Sequence, residues 1–248
     1  MQRTCCRCIC TGAPRFYSHA SLAECPPTHI VRAQAEYQHI LTTNVREQSF
    51  EDIQAVDLSA PIHGWRQPEY VITFAEALDL VKAAPDKFCF AELKKGVTSE
   101  ERILIAEAAA KVVKEAGVAP KQVILISFGL DILVHMKALL PSFQYLHLMA
   151  PSDPETAMAQ VKAALDAGMD GVDLLALPST VTEELIDYVH ERGKRVVVWI
   201  YNSKDYDGHP TDTLKNLQVL GKRGLDDFTT DLPPDILATI TLGPSELQ

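Results

Sequence analysis

No stretch of eighteen consecutive apolar residues occurs in the 248-residue chain, so it contains no segment that would cross a bilayer as a helix. A surplus of positive charge is also missing. Lys and Arg number 23 against 33 Asp and Glu, for a net charge of −10. That balance argues against nucleic acid as the main partner, because phosphate backbones select basic surfaces. The sequence has no G-x-G-x-x-G, no P-loop and no H-E-x-x-H. The dinucleotide turn of a doubly wound sheet and a helical zinc-protease site are therefore unsupported. After residue 25 cysteine is reduced to Cys89 alone, so a disulfide framework is not the design. At 47% hydrophobic content a chain of this length can bury a sizeable core without staples. The same composition excludes collagen-like, coiled-coil and disordered classes.

Cysteine and charge are instead concentrated at one end. Five of the six cysteines (Cys5, Cys6, Cys8, Cys10, Cys25) precede residue 26. Residues 1–34 carry four Arg, no Lys and one acid, a net of +3 that leaves −13 for the rest. Cys5 and Cys8 stand at C-x2-C spacing, but interleaved with Cys6 and Cys10 they do not form the two separated pairs of a structural zinc site. No apolar core of a signal peptide precedes Arg15, which leaves the cytoplasm as the default compartment. The expectation is a leader over 1–41 without regular structure, in which residues 28–33 are the one weak strand.

From residue 70 onward short apolar strands alternate with amphipathic helices. Thr73 and Glu76 form a capping box ahead of helically spaced Ala77, Leu80 and Val81. Further strands are predicted over 88–94, 123–128, 145–150, 172–177, 195–201 and 227–230. Helices are predicted over 98–117, 132–140, 154–167, 180–191 and 211–221. The strands are near-continuous Val, Ile and Leu runs, which suits parallel strands buried on both faces. Strict alternation means an α/β fold, and the length is that of an eight-stranded (β/α)8 TIM barrel of about 250 residues. Six strands are legible, so the barrel is expected to be incomplete or irregular at its first two strands. The barrel domain is assigned to 42–240 and a tail to 241–248.

Within this pattern, Glu92 and Lys94 are two apart on a strand and share a face. A carboxylate beside an ammonium is costly inside a strand without a role or a partner. Glu92 reads either as a divalent-metal ligand with Lys94 as a phosphate-binding cation, or as one half of a solvated ion pair at a strand end. Trp199 reads as an apolar substrate wall or as core. Ser127 and Phe128 close another strand, and Asp231 caps the segment after the last one. Of the eight histidines, His135 and His147 read as structural and His190 as a helix-end cation.

Taken in order, residues 72–78, 90–94, 123–128, 198–202 and 224–233 resemble the glycerophosphodiester phosphodiesterase family. Its motifs there are P-T-L-x-E-x-L, I-E-x-K, S-F, V-W-T-x-N and G-V-D-G-I-x-T-D-x-P. The resemblance covers about residues 42–237. It implies a barrel that hydrolyses glycerophosphodiesters to glycerol 3-phosphate and an alcohol with a bound Mg2+ or Ca2+. It gives Glu92 as a metal ligand, Lys94 as a catalytic lysine at the phosphate and Trp199 as a substrate-binding wall on the glycerol side.

The family also carries H-R-G, E-x-D and H-D-x3-L-x-R-T-T-N near its start. Here Thr42, Thr43 and Asn44 fit the tail of the last motif, but its His falls on Gln34 and its Asp on Ala35. His39 is five residues out of register. The expectation is therefore weak metal binding. The alternative is a truncated or inactive family member that keeps part of the phosphate pocket, and a different barrel enzyme with Cys-bound zinc is a third reading. An open barrel edge is expected to allow self-association.

Overall fold

Five of the described helices begin where a side chain accepts one of the backbone N–H groups that a first turn leaves unpaired. In the computed structural model, residues 5–10, 48–55, 70–94, 98–199 and 214–229 are described. Ser49 caps α1 (Phe50–Gln54). Thr73 opens α2 (Phe74–Lys82) with the predicted capping box: Thr73 N donates to Glu76 at 2.6 Å and Glu76 N donates to Thr73 Oγ1 at 3.2 Å. Thr98 and Glu101 repeat that box at the head of α3 (Ser99–Ala116). This helix ends at Gly117, whose φ of 60° is a left-handed conformation that costs glycine no steric penalty. The Lys82 ammonium donates to Ala116 O at 2.7 Å, placing a cation on the carbonyl end of α3. Leu130–Leu139 form α4 and Pro154–Asp166 form α5, the latter capped by Asp153.

α6 (Glu183–His190) starts at Thr182 rather than at the predicted Thr180. Thr180 is buried and donates its hydroxyl to Leu177 O at 3.1 Å, so the turn before the helix uses it. Leu214–Lys222 form α7.

The strands are β1 (Cys5–Cys10), β2 (Phe88–Leu93), β3 (Val123–Ser127), β4 (Gln144–Met149), β5 (Gly171–Leu175), β6 (Arg195–Trp199) and β7 (Asp227–Thr229). They belong to one sheet in sequence order. The pairs β1–β2, β4–β5, β5–β6 and β6–β7 are parallel. The six strands predicted after residue 70 are all present, and the fold is the expected (β/α) barrel class. Seven strands lie among the described residues, one short of a full barrel.

β1 departs from expectation. The leader supplies a strand at Cys5–Cys10, and Cys5 to Cys10 pair in register with Phe88 to Leu93. The physical reason lies in β2: its edge offers a row of backbone donors and acceptors that any extended segment can satisfy. The weak strand expected at 28–33, the boundary at 41/42, Asp231 and the tail from 241 fall outside the described residues.

The chain divides into two compact units, residues 1–125 with 135–143 and residues 126–134 with 144–248. In the first, Phe74, Leu78, Phe90, Leu93, Ile105 and Ala109 are buried. Gln122 ties it together by donating to Val81 O at 2.8 Å and Ala84 O at 3.2 Å. In the second, Tyr145, Val161, Val172, Leu174, Ile186 and Val196 to Val198 form the core. Polar contacts tie its strands and turns together. Asp226 accepts from Val196 N at 2.8 Å and meets His190 Nε2 at 2.9 Å. Arg195 pairs with Asp227. Arg223 donates to Pro178 O at 2.6 Å and Val181 O at 2.7 Å.

Candidate active site

The polar residues singled out from the sequence fall at the carboxyl ends of their strands, the end at which barrels carry their chemistry. In the first unit, Glu92 is the penultimate residue of β2 and Lys94 follows the strand. Every side chain of Phe88–Leu93 is buried, so Glu92 is embedded between apolar neighbours. The shared face predicted from alternation is realised: Lys94 Nζ lies 2.7 Å from Glu92 Oε1. The carboxylate side chain is 1% exposed and the lysine side chain 41%. A buried acid is thus joined to a cation whose stem reaches solvent. This arrangement lowers the cost of burying Glu92 and leaves the ammonium able to meet an anion.

In the second unit, Trp199 is the last residue of β6. Its indole Nε1–H donates to Met149 O at 3.2 Å, across β5. Its ring meets Phe128 edge to face, with centroids 5.8 Å apart and planes at 85°. Trp199 is 7% exposed, whereas Phe128 is 41% exposed. The two rings make an apolar wall whose open part is Phe128. The loop bearing Phe128 is tied at Ser127, a buried residue whose hydroxyl accepts from Gly129 N at 3.1 Å.

Asp173 is a fully buried carboxylate that sequence reading passed over, concealed in the apolar run of β5. Leu175 pairs with Trp199 and Asp173 with Val197, so Asp173 shares the sheet face of Trp199. The signal was available as the one acid in Gly171–Leu175.

His147, expected to be structural, lies in β4 on the opposite face, since it pairs with Val172. Its Nε2 is 3.3 Å from Phe128 O. A carbonyl only accepts, so Nε2 carries the proton. Burial holds this imidazole below the ordinary histidine pKa, partly offset by that hydrogen bond. His190 closes α6 as predicted, paired with Asp226. His19, His29, His39, His63 and His209 lie outside the described residues.

A hard divalent cation takes about six oxygens or more. Among the described residues no group of three or more His, Cys, Asp or Glu could hold a metal. Glu92 is a suitable oxygen donor, but it already carries the Lys94 ammonium. The described donors therefore do not make up a complete metal site.

Comparison with known proteins bears on the whole chain. The model of the glycerophosphoryl diester phosphodiesterase family matches residues 25–233. No curated protein matches. Among solved structures, a glycerophosphodiester phosphodiesterase from Parabacteroides distasonis is 17% identical over 98% of this chain and 84% of its own, with a TM-score of 0.69. A phosphodiesterase from Oleispira antarctica, solved with its product sn-glycerol-3-phosphate, is 16% identical over 97% of this chain and 85% of its own, at 0.68. A glycerophosphodiester phosphodiesterase from Agrobacterium tumefaciens is 13% identical over 95% and 87%, at 0.62. These likenesses establish the fold.

Proposed function

The chain belongs to the glycerophosphoryl diester phosphodiesterase family, and on that premise we propose that it hydrolyses glycerophosphodiesters to glycerol 3-phosphate and an alcohol. The observation that carries this reading is the Glu92–Lys94 pair, a buried acid and a half-exposed ammonium 2.7 Å apart at the end of β2. Lys94 is the group that meets the anionic phosphoryl oxygens, and it stabilises the charge that grows on them as the ester bond breaks. Water supplies the entering oxygen, and the leaving alkoxide takes a proton to depart as the alcohol. Glu92 holds Lys94 aimed at the phosphate and, by the family resemblance, would be one oxygen ligand of a weakly bound Mg2+ or Ca2+ whose other ligands are not among the described residues. The family resemblance gives Trp199 as the residue on the glycerol side, where its ring and that of Phe128 offer an apolar wall to C–H surface.

The test is release of glycerol 3-phosphate from glycerophosphocholine, read by a coupled dehydrogenase assay with and without Mg2+ or Ca2+. The expected result is metal-enhanced turnover that Glu92→Ala abolishes. Turnover that ignores Glu92→Ala refutes the assignment.

A second reading is favoured by the departure from the family's early motifs, whose His falls on Gln34 and whose Asp falls on Ala35. It is a truncated or inactive family member that binds glycerol 3-phosphate without turning over diesters. Binding lost in Lys94→Ala, with no product formed, is its signature. Self-association through an outer strand of the sheet is the remaining proposal on partners, and light scattering of the eluting protein tests it.

A further inference from the structure

We propose that His147 is a positioning residue, a neutral latch that holds Phe128 against Trp199 and so fixes the apolar wall of the substrate pocket. The inference deepens the reading of Trp199 as a pocket wall and rests on it. Phe128 lies in the short link between β3 and α4, and three contacts determine where its ring sits. Ser127 Oγ accepts from Gly129 N at 3.1 Å on one side of it. His147 Nε2 donates to the Phe128 carbonyl at 3.3 Å on the other. The ring itself packs edge to face on Trp199 at 5.8 Å.

His147 is nineteen residues from Phe128 in sequence, so the latch joins β4 to the end of β3. A chain of contacts then leads from imidazole to carbonyl, from carbonyl to ring and from ring to indole. The other end of the indole is fixed by Met149 O at 3.2 Å, two residues beyond His147 on the same strand. One strand therefore locates both aromatic rings, Trp199 directly and Phe128 through His147.

The geometry also explains why histidine suits the position. Its Nδ1 is buried and has no hydrogen-bond partner among the described residues. The neutral Nε2–H tautomer leaves that nitrogen unprotonated, so no buried donor is stranded. Glutamine can extend an amide N–H to about the same distance as Nε2. Asparagine is one methylene shorter and leucine donates nothing.

The experiment uses the full chain with Trp65→Phe, which leaves Trp199 as the sole tryptophan. His147→Leu, His147→Asn and His147→Gln are compared by Trp199 emission and acrylamide quenching, with far-UV circular dichroism as the check on folding. The expected result is a red shift and about a twofold rise in quenching for Leu and Asn, with Gln near the parent. In glycerophosphocholine hydrolysis KM should rise about fivefold for Leu and Asn with kcat little changed, the size of one lost hydrogen bond. If Leu does not fold, the Asn and Gln pair carries the comparison. Unchanged emission in Asn, or equal perturbation in Gln and Asn, overturns the latch. A latch seen in emission without any response of Trp199 to added glycerol 3-phosphate would leave it standing and refute the pocket reading instead.

Discussion

Replacing Gly171 with alanine should destabilise the protein by an amount that the register of β4, β5 and β6 determines. Gly171 opens β5 and pairs with Leu146 on one side and Arg195 on the other. A Cβ added there would lie 2.3 Å from Arg195 O and 2.8 Å from Leu146 Cδ2. The leucine methyl can rotate away, but the carbonyl belongs to the β6 backbone and cannot. Overpacking costs about 1–3 kcal/mol and occasionally more. Relief of the unfolded-state entropy of glycine returns about 0.5–1 kcal/mol.

A clash with backbone falls at the upper end of that range, so a net loss of about 2–3 kcal/mol is expected, or roughly 1 M in the urea midpoint. Separation of β6 from β5 would also move Trp199, four residues beyond Arg195, so its emission should shift in the native baseline. Gly221→Ala is the control. Gly221 lies in α7 with nothing among the described residues within 4 Å of its added Cβ, and alanine there should stabilise by up to about 1 kcal/mol. Urea unfolding followed by circular dichroism reads both. A Gly171→Ala midpoint within 0.2 M of wild type would mean that the β5–β6 register is wrong.

Thr98→Ala removes the hydroxyl that accepts from Glu101 N at 3.2 Å and should cost about 1 kcal/mol of stability. Serine at the same place should restore most of it in thermal melts. His147 has a folded-state pKa below its unfolded one because burial disfavours the charged ring. Between the two values the unfolded chain binds the extra proton, so this contribution is intact above about pH 6.5 and is lost as pH falls through the folded value. His147→Gln should therefore flatten the fall in urea midpoint between pH 7.5 and 5.5, and an identical slope in both proteins would disprove the assignment.

The sequence spelled out the elements whose signals are local. Thr73 with Glu76 and Thr98 with Glu101 carry their own capping chemistry, and the Val and Ile runs of β3 and β6 announce burial on both faces. The same alternation paired Glu92 with Lys94, because a period of two needs no tertiary knowledge. What escaped detection depends on distant partners. β1 pairs through the edge of β2, some eighty residues away, and nothing in its cysteine-rich composition points there. Thr182 caps α6 because Thr180 is used by the turn at Leu177, a competition that spacing does not reveal. Asp173 was hidden by the apolar run around it. The link from His147 to Phe128 O and that from Trp199 to Met149 O exist only once the strands are assembled.

The proposed hydrolysis cleaves a glycerophosphodiester at the strand end that carries Lys94. Phosphorus NMR of glycerophosphocholine incubated with the protein and Mg2+ or Ca2+ reads the bond change itself. Growth of a phosphomonoester resonance is expected in wild type and a rate lower by about 10²–10³ in Lys94→Ala, the usual cost of losing one charge-stabilising group. Undiminished growth of that resonance in Lys94→Ala would contradict it.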